Sequence, residues 1–270
     1  MVREKPTAPQ NPKRLCASEI RACLREWAED IRIEVYEEID STNREAKRRA
    51  LTSDRTPTLI LAECQTEGRG RLGRSFFSPV GAGIYMTYLW HPNVPAADVV
   101  SVTTAASVAV MRALISLSAA PETELGIKWV NDIMLNGKKV CGILTEAVTD
   151  PSDGRVSGVL VGIGLNVSPT SFPSELSGIA TCLGGNIDRN LLAAQILREL
   201  LTILRDPSPY SHMPYYREHS LVIGKDVTTV CAGVTERGRV LDIDPTGGLV
   251  IRREDGAIET IHSGEVSLRM

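Results

Sequence analysis

Apolar positions along the chain recur at helical spacing in some stretches and at strand spacing in others, and the two kinds of stretch are mixed. Ile20, Cys23, Leu24 and Trp27 share one helical face, so Ser18 is expected to cap a short helix running to about Asp30. A strand follows near Ile31–Tyr36, then a mostly polar helix through Leu51 capped by Ser41 or Thr42. Leu59–Cys64 and Ile84–Leu89 read as strands, and Val99–Leu117, rich in Ala and Val, as a long helix packed on a sheet. Three strand candidates come next: Gly126–Leu135, Lys139–Val148 and Arg155–Val167. Asn136-Gly137 separates the first two, a strong local hairpin signal, and Asp153-Gly154 marks the loop before the third. Asp188 heads an amphipathic helix from Leu191 to Arg205.

Beyond Ser220 the pattern changes. Short runs at Asp226–Cys231, Gly238–Ile243, Leu249–Arg253, Ile258–Ile261 and Val266–Leu268 are separated by tight turns such as Pro245-Thr246-Gly247-Gly248. Five such strands predict a small barrel. The expected organisation is an extension with a short helix over 1–30, a main domain over 31–219 and a C-terminal module over 220–270. The predicted fold class is α+β, a mixed sheet flanked by helices followed by the barrel.

With 270 residues, the chain is long enough to enclose a small-molecule site. Apolar residues make up 43% and charged ones 23%, the balance of an ordinary soluble domain. A net charge of −3 offers no electrostatic footprint for nucleic acid, so no nucleic-acid partner is expected. Lys13 and Arg14 begin no long apolar run, and no stretch approaches the roughly 18 apolar residues of a spanning helix. Neither a signal peptide nor a membrane partner is expected. Pro6, Pro9 and Pro12 point to a disordered lead-in over 1–14, and about thirty residues before the first strand are too few for a helix-turn-helix domain. Cys16, Cys23, Cys64, Cys141, Cys182 and Cys231 form no close pairs and read as small buried hydrophobes of a reducing, cytoplasmic compartment. His91, His212, His219 and His262 are equally dispersed, which makes a metal cage improbable and leaves any metal ligands unassigned.

Four segments carry candidate chemistry. Gly68-Arg69-Gly70-Arg71-Leu72-Gly73-Arg74 formally matches a dinucleotide fingerprint, but Ser75-Phe76-Phe77-Ser78-Pro79 opens no helix after it. It is either a solvated basic turn or a mobile loop whose forked donors close over a phosphate or carboxylate. In Gly126–Leu135, Lys128 is costly in a buried strand unless it meets an anion or an ion-pair partner such as Asp132 or Glu146. Lys128 and Asn131 have opposite parity, so both reach one pocket only if the strand bends. Asp40-Ser41-Thr42-Asn43 either caps a helix or receives a polar ligand at its free N–H groups. Gly162-Ile163-Gly164-Leu165-Asn166 either bulges or lets another group approach the backbone.

Taken together, in this order and spacing, Asp40–Asn43, Gln65 with Gly68–Arg74, Lys128–Asp132 with Gly142-Ile143-Leu144, and Gly162–Asn166 resemble the catalytic domain of biotin–protein ligases. The likeness runs from about Ile33 to the C-terminus and implies a class II synthetase-like biotin/lipoate ligase domain followed by an SH3-like barrel, in the type without a DNA-binding domain. It implies two steps. Biotin and ATP, with Mg2+, give biotinyl-5′-AMP and pyrophosphate; a lysine of a biotin carboxyl carrier protein then takes the biotinyl group.

In that reading Ser41, Thr42, Asn43 and Gln65 hold the biotin rings. Arg69, Gly70 and Arg71 close over the acyl phosphate, where Lys128 bridges carboxylate and α-phosphate and Gly142 lines the biotin side. Arg74, Phe76, Asn131, Gly164 and Asn166 serve the nucleotide. Val130 stands where the family usually has proline, permitting a more regular strand, and Phe76 where a tryptophan often stacks on adenine. The rival readings are a lipoate ligase or octanoyl transferase, against which the complete arginine loop argues, and a biotin-sensing transcriptional repressor. An exposed sheet edge allows a homodimer.

Overall fold

The computed structural model describes residues 13–91, 99–149, 156–168, 170–208, 210–231 and 233–268. The proline-rich lead-in up to residue 12 and the Asp153-Gly154 loop lie outside them. The strands are β1 Arg32–Tyr36, β2 Thr58–Ala62, β3 Gly83–Trp90, β4 Leu125–Lys128, β5 Asp132–Leu135, β6 Lys138–Thr149 and β7 Val156–Asn166. They form one sheet in the order β1-β2-β3-β7-β6-β5-β4, parallel between β1 and β2 and antiparallel elsewhere. The helices are α1 Ala17–Leu24, α2 Thr42–Ala50, α3 Val99–Ser116, α4 Arg189–Leu204 and α5 Met213–Glu218.

Alternation along the strands divides the sheet into two faces. Val159, Val161, Ile163 and Leu165 of β7 join Cys141 and Ile143 of β6 in the main core, against α3, with α4 and α1 layered beyond it. The run Ala105, Ala106, Val108, Ala109 and Val110 is buried on all sides, and its small side chains let α3 fit between the sheet and α4. On the opposite face, α2 covers only part of the sheet, through a small cluster of Ala46, Ala50, Ile60, Leu89, Val148 and Leu160. The rest of that face, lined by Gly142, Leu144, Gly162 and Gly164, is where the site forms.

Beyond α5, strands β8 Asp226–Cys231, β9 Val234–Ile243, β10 Leu249–Arg253, β11 Ile258–Ile261 and β12 Glu265–Leu268 make a separate antiparallel sheet, ordered β11-β10-β9-β8-β12. Its β9–β10 turn docks on the main sheet: the indole N–H of Trp129 donates to Gly247 O at 2.9 Å, and Gly247 approaches Val100 and Thr104. No helix of the described residues is long and apolar enough to cross a membrane.

The structure corrects several expectations. Ser18 does not cap α1, which starts two residues earlier than that cap would set, with Cys16 at the cap position and no side-chain cap bond; the helix stops at Leu24, and a 3₁₀ turn, Arg25–Ala28, completes the segment. Ser41 occupies the cap position of α2, but its hydroxyl makes no capping bond, and only its carbonyl serves the helix, accepting from Glu45 N at 3.0 Å. Asp188 does cap α4, accepting from Asn190 N at 2.9 Å and Leu191 N at 3.2 Å. The short α5, which has no clear apolar period, was not anticipated. Of the six cysteines only Cys141 is buried, and Cys23 is exposed.

The largest difference concerns Gly126–Leu135. That segment is a tight hairpin, β4 and β5, reversing at Trp129–Asn131, with Lys128 paired in register with Asp132. Trp129, Val130 and Asn131 are all buried in the reversal, so Val130 sits in a turn and not in a regular strand.

Candidate functional site

The site is a cleft of about 440 Å³, part of it open to solvent, lying on the half-covered sheet face. Glycines form its floor. Gly142 and Gly164 are cross-strand partners, and Gly162 follows on the same face of β7. A Cβ on Gly162 would lie 2.0 Å from Asn43 Oδ1, and one on Gly164 would lie 2.6 Å from the Phe76 ring. These glycines therefore admit other side chains, namely Asn43 over one and the Phe76 ring over the other.

The end beneath α2 is polar and tightly wired. Ser41, Thr42 and Asn43 are buried at the helix start. Gln65 Oε1 accepts from Thr42 N at 2.9 Å and Thr42 Oγ1 at 3.1 Å, while its amide nitrogen donates to Ser78 Oγ at 2.9 Å. The buried hydroxyl of Thr87 lies 2.8 Å from Thr42 Oγ1 and 2.7 Å from Asn43 Oδ1. Asn43 in turn donates from Nδ2 to Glu146 Oε2 at 2.9 Å and Leu144 O at 3.2 Å. The hydroxyls and amides of Ser41, Thr42, Asn43 and Gln65, held this firmly, suit a polar, uncharged group such as a cyclic urea.

The other end carries positive charge. The arginine–glycine segment crosses the mouth as a loop with a single 3₁₀ turn at Arg71–Gly73. Arg71 reaches inward, donating to Asn131 Oδ1 and to Gly264 O, both at 3.0 Å. Asn131 is itself fixed, donating to Ile143 O at 2.8 Å. Burial pulls the Arg71 guanidinium down from its ordinary pKa, partly opposed by Asp132 and Glu265; it remains charged at physiological pH. Arg69 is half-exposed at the rim, 3.4 Å from Glu146 Oε1.

The cation at the floor is Lys139. Its Nζ sits 2.6 Å from Asp132 Oδ1, and its Cε and Nζ lie 2.9 Å from where a Cβ on Gly142 would be. Sequence reasoning singled out Lys128 and did not name Lys139 as a candidate. Strict alternation would put Lys139 on the core face with Cys141 and Ile143. The β5–β6 register, however, slips at this point: Ile133 faces Cys141 whereas the next residue, Met134, faces Lys139, leaving Val140 as the extra residue of a bulge. The bulge turns Lys139 onto the cleft face. The Gly-Lys-Lys ahead of Val140 was the available signal, but a bulge leaves no mark in a hydrophobic pattern.

Ser41, Thr42, Asn43, Gln65, Arg69, Gly70, Arg71, Phe76, Asn131, Gly142 and Gly164 all line the cleft, together with Met86, Lys139, Ile143, Leu144, Gly162 and Ile163. Three expected residues do not. Lys128 ends β4 outside the lining, and it is Lys139, not Lys128, that pairs with Asp132. Arg74 points away to Glu265 Oε2 at 2.6 Å. Asn166 closes β7 and donates to Thr181 O at 3.0 Å. Among the described residues no three His, Cys, Asp or Glu side chains gather to hold a metal.

Residues 35–166 match the biotin/lipoate A/B protein ligase family, and residues 222–269 match the biotin protein ligase C-terminal domain. The chain is 34% identical over 268 residues to the bifunctional ligase/repressor BirA of Bacillus subtilis, covering 96% of this chain and 81% of that protein. It is 34% identical over 229 residues to the biotin–[acetyl-CoA-carboxylase] ligase of Mycobacterium tuberculosis, covering 81% of this chain and 82% of that protein. The biotin protein ligase of Aquifex aeolicus, solved in complex with biotin and ATP, superposes with a TM-score of 0.74 at 28% identity, over 88% of this chain and 98% of that one.

Proposed function

The chain belongs to the biotin/lipoate A/B protein ligase family, and from that membership together with its cleft we infer that it is an ATP-dependent biotin–protein ligase. It makes biotinyl-5′-AMP from biotin and ATP and passes the biotinyl group to a lysine of a biotin carboxyl carrier protein. The observation that carries this reading is a single cleft lined both by the cations Arg69, Arg71 and Lys139 and by the polar group Ser41, Thr42, Asn43 and Gln65.

The chemistry needs both ends. A biotin carboxylate and the α-phosphate of ATP repel each other, and negative charge builds between them as the new O–P bond forms and pyrophosphate leaves. Fixed cations aimed at that point stabilise the transition state more than they stabilise the separated substrates. Lys139 supplies a compact charge from the floor, and Arg71 a planar fork from the lid. The buried polar end holds the ureido ring, so the carboxylate is delivered at a defined depth. Phe76, packed against Gly164 and Gly142, provides an aromatic ring for adenine. Lid closure then shields the acyl phosphate from water until a lysine amine attacks the carbonyl and AMP departs.

Mg2+ would come with the phosphates of ATP and supply positive charge against them, and Asp132, paired with Lys139, is the carboxylate that would help to hold it. The deciding measurement is exchange of labelled pyrophosphate into ATP with a panel of acids. We expect exchange with biotin and at least a hundredfold less with lipoate or octanoate, since an alkyl chain would dehydrate that polar end while offering it no hydrogen bonds. Exchange with lipoate and none with biotin would reverse the assignment within the family.

A further inference from the structure

Three arginines stand in the seven-residue loop: Arg74 ends on Glu265, Arg71 on Asn131 and on Gly264 O of the same turn as Glu265, and Arg69 alone on Glu146 of the main sheet. Glu146 differs from the other anchors. It lies on the cleft face of β6 and holds two groups at once: Oε1 faces the Arg69 guanidinium at 3.4 Å, and Oε2 accepts from Asn43 Nδ2 at 2.9 Å. Asn43 is also bound at its oxygen by Thr87, at 2.7 Å. We propose that Glu146 is a positioning residue that couples the arginine lid to the ring-binding end of the cleft, holding Asn43 in its productive amide orientation with one oxygen and the lid with the other.

The alternatives for each group explain why a carboxylate stands here. Asn43 Oδ1 is taken by Thr87, so its amide must present Nδ2 toward β6, where Leu144 O at 3.2 Å is the weaker acceptor. A carboxylate fixes that orientation because it has no donor to offer. The same group is the only anion within ion-pair distance of Arg69 among the described residues, so without it the rim guanidinium has no fixed partner in the empty enzyme. When a ligand carboxylate or phosphate enters, Arg69 can move to it while Glu146 keeps Asn43 in place. Ring binding and lid closure thereby share one carboxylate.

This inference rests on the ligase reading. Its test therefore begins with the parent enzyme, whose failure to exchange pyrophosphate in the presence of biotin would overturn both. In the full chain, Glu146→Gln and Glu146→Ala are compared for biotin KM, the rate of adenylate formation in a single turnover, and biotinyl-5′-AMP released to solution without acceptor. Gln can still accept from Asn43 but offers no charge to Arg69. It should raise release of the intermediate about tenfold while shifting biotin KM by no more than about twofold. Ala loses both bonds, so it should raise KM about tenfold as well. A side chain that merely stabilises β6 would lower the melting temperature and the amount of active enzyme in both variants with KM and release unchanged; that result, or identical behaviour of the two variants, would overturn the coupling. Should Ala fail to fold, the Gln split between KM and release decides alone.

Discussion

Lys139 and Lys128 are eleven positions apart in the chain and pose one question: which ammonium faces the reacting atoms. Lys139 lines the cleft, pairs with Asp132 at 2.6 Å and crowds Gly142, whereas Lys128 lies outside the lining. Removing a cation aimed at developing charge typically costs on the order of 10²–10³ in rate. Lys139→Ala should therefore slow single-turnover adenylate formation by about that factor, and Lys128→Ala by less than about tenfold. Rapid-quench measurement with saturating biotin and ATP checks this; a larger loss at Lys128 would return the role to it. Individual residues were legible where the chemistry is local. The hydroxyls and amides of Ser41–Asn43, the arginine loop and the paired glycines could all be picked out because their residue types are unusual for a core. Lys139 could not, since its orientation depends on one extra residue in β6.

Elements were legible where period and cap agree. Asp188 and the amphipathic run behind it gave α4 correctly, and the Asn136-Gly137 turn marks where β6 begins. The β4–β5 reversal was hidden because a run buried on both sides of a tight turn has the same apolar signature as one long strand. The packing of α3 against α5 was equally hidden, and it yields a pH prediction. His212, at the start of α5, is buried with Nε2 2.9 Å from Thr104 Oγ1, whose own proton goes to Ser101 O at 2.9 Å. Burial, reinforced by the positive charge of Arg112 and opposed by the Ser101 carbonyl, lowers the imidazole from its ordinary 6.5 to about 4. Between those values the unfolded chain binds a proton that the folded one excludes, so stability falls as pH drops through 6.5 toward 4 and gains nothing above 6.5. The loss should reach about 3 kcal/mol at the acid end. Thermal unfolding across that window should show a steeper fall for the parent than for His212→Gln. Parallel curves would mean that the imidazole titrates alike in both states.

At the scale of the molecule, the C-terminal sheet anchors the arginine loop. The turn into β12 offers Gly264 O to Arg71 at 3.0 Å and Glu265 to Arg74 at 2.6 Å. The second contact is exposed and contributes at most about 1 kcal/mol; the first ends on a half-buried guanidinium and on a backbone whose position is narrowly set. Gly264 has φ +130°, and a Cβ there would lie 2.6 Å from Cys231 Sγ and 2.8 Å from Val230 O. No other residue fits that turn without moving it. Gly264→Ala should therefore displace the carbonyl from Arg71 while leaving both sheets folded, at a stability cost of about 1–3 kcal/mol. Because Gly264 bonds to Arg71 and not to the side chains of Ser41, Thr42, Asn43 or Gln65, biotin KM should change little. What should change is retention: released biotinyl-5′-AMP should rise several-fold, and the rise should be smaller when Arg71 is already replaced by Gly, since the two changes break one contact. If release rises equally with or without Arg71, the C-terminal sheet acts on the intermediate by another route, and its contact with the lid serves only to join the two modules.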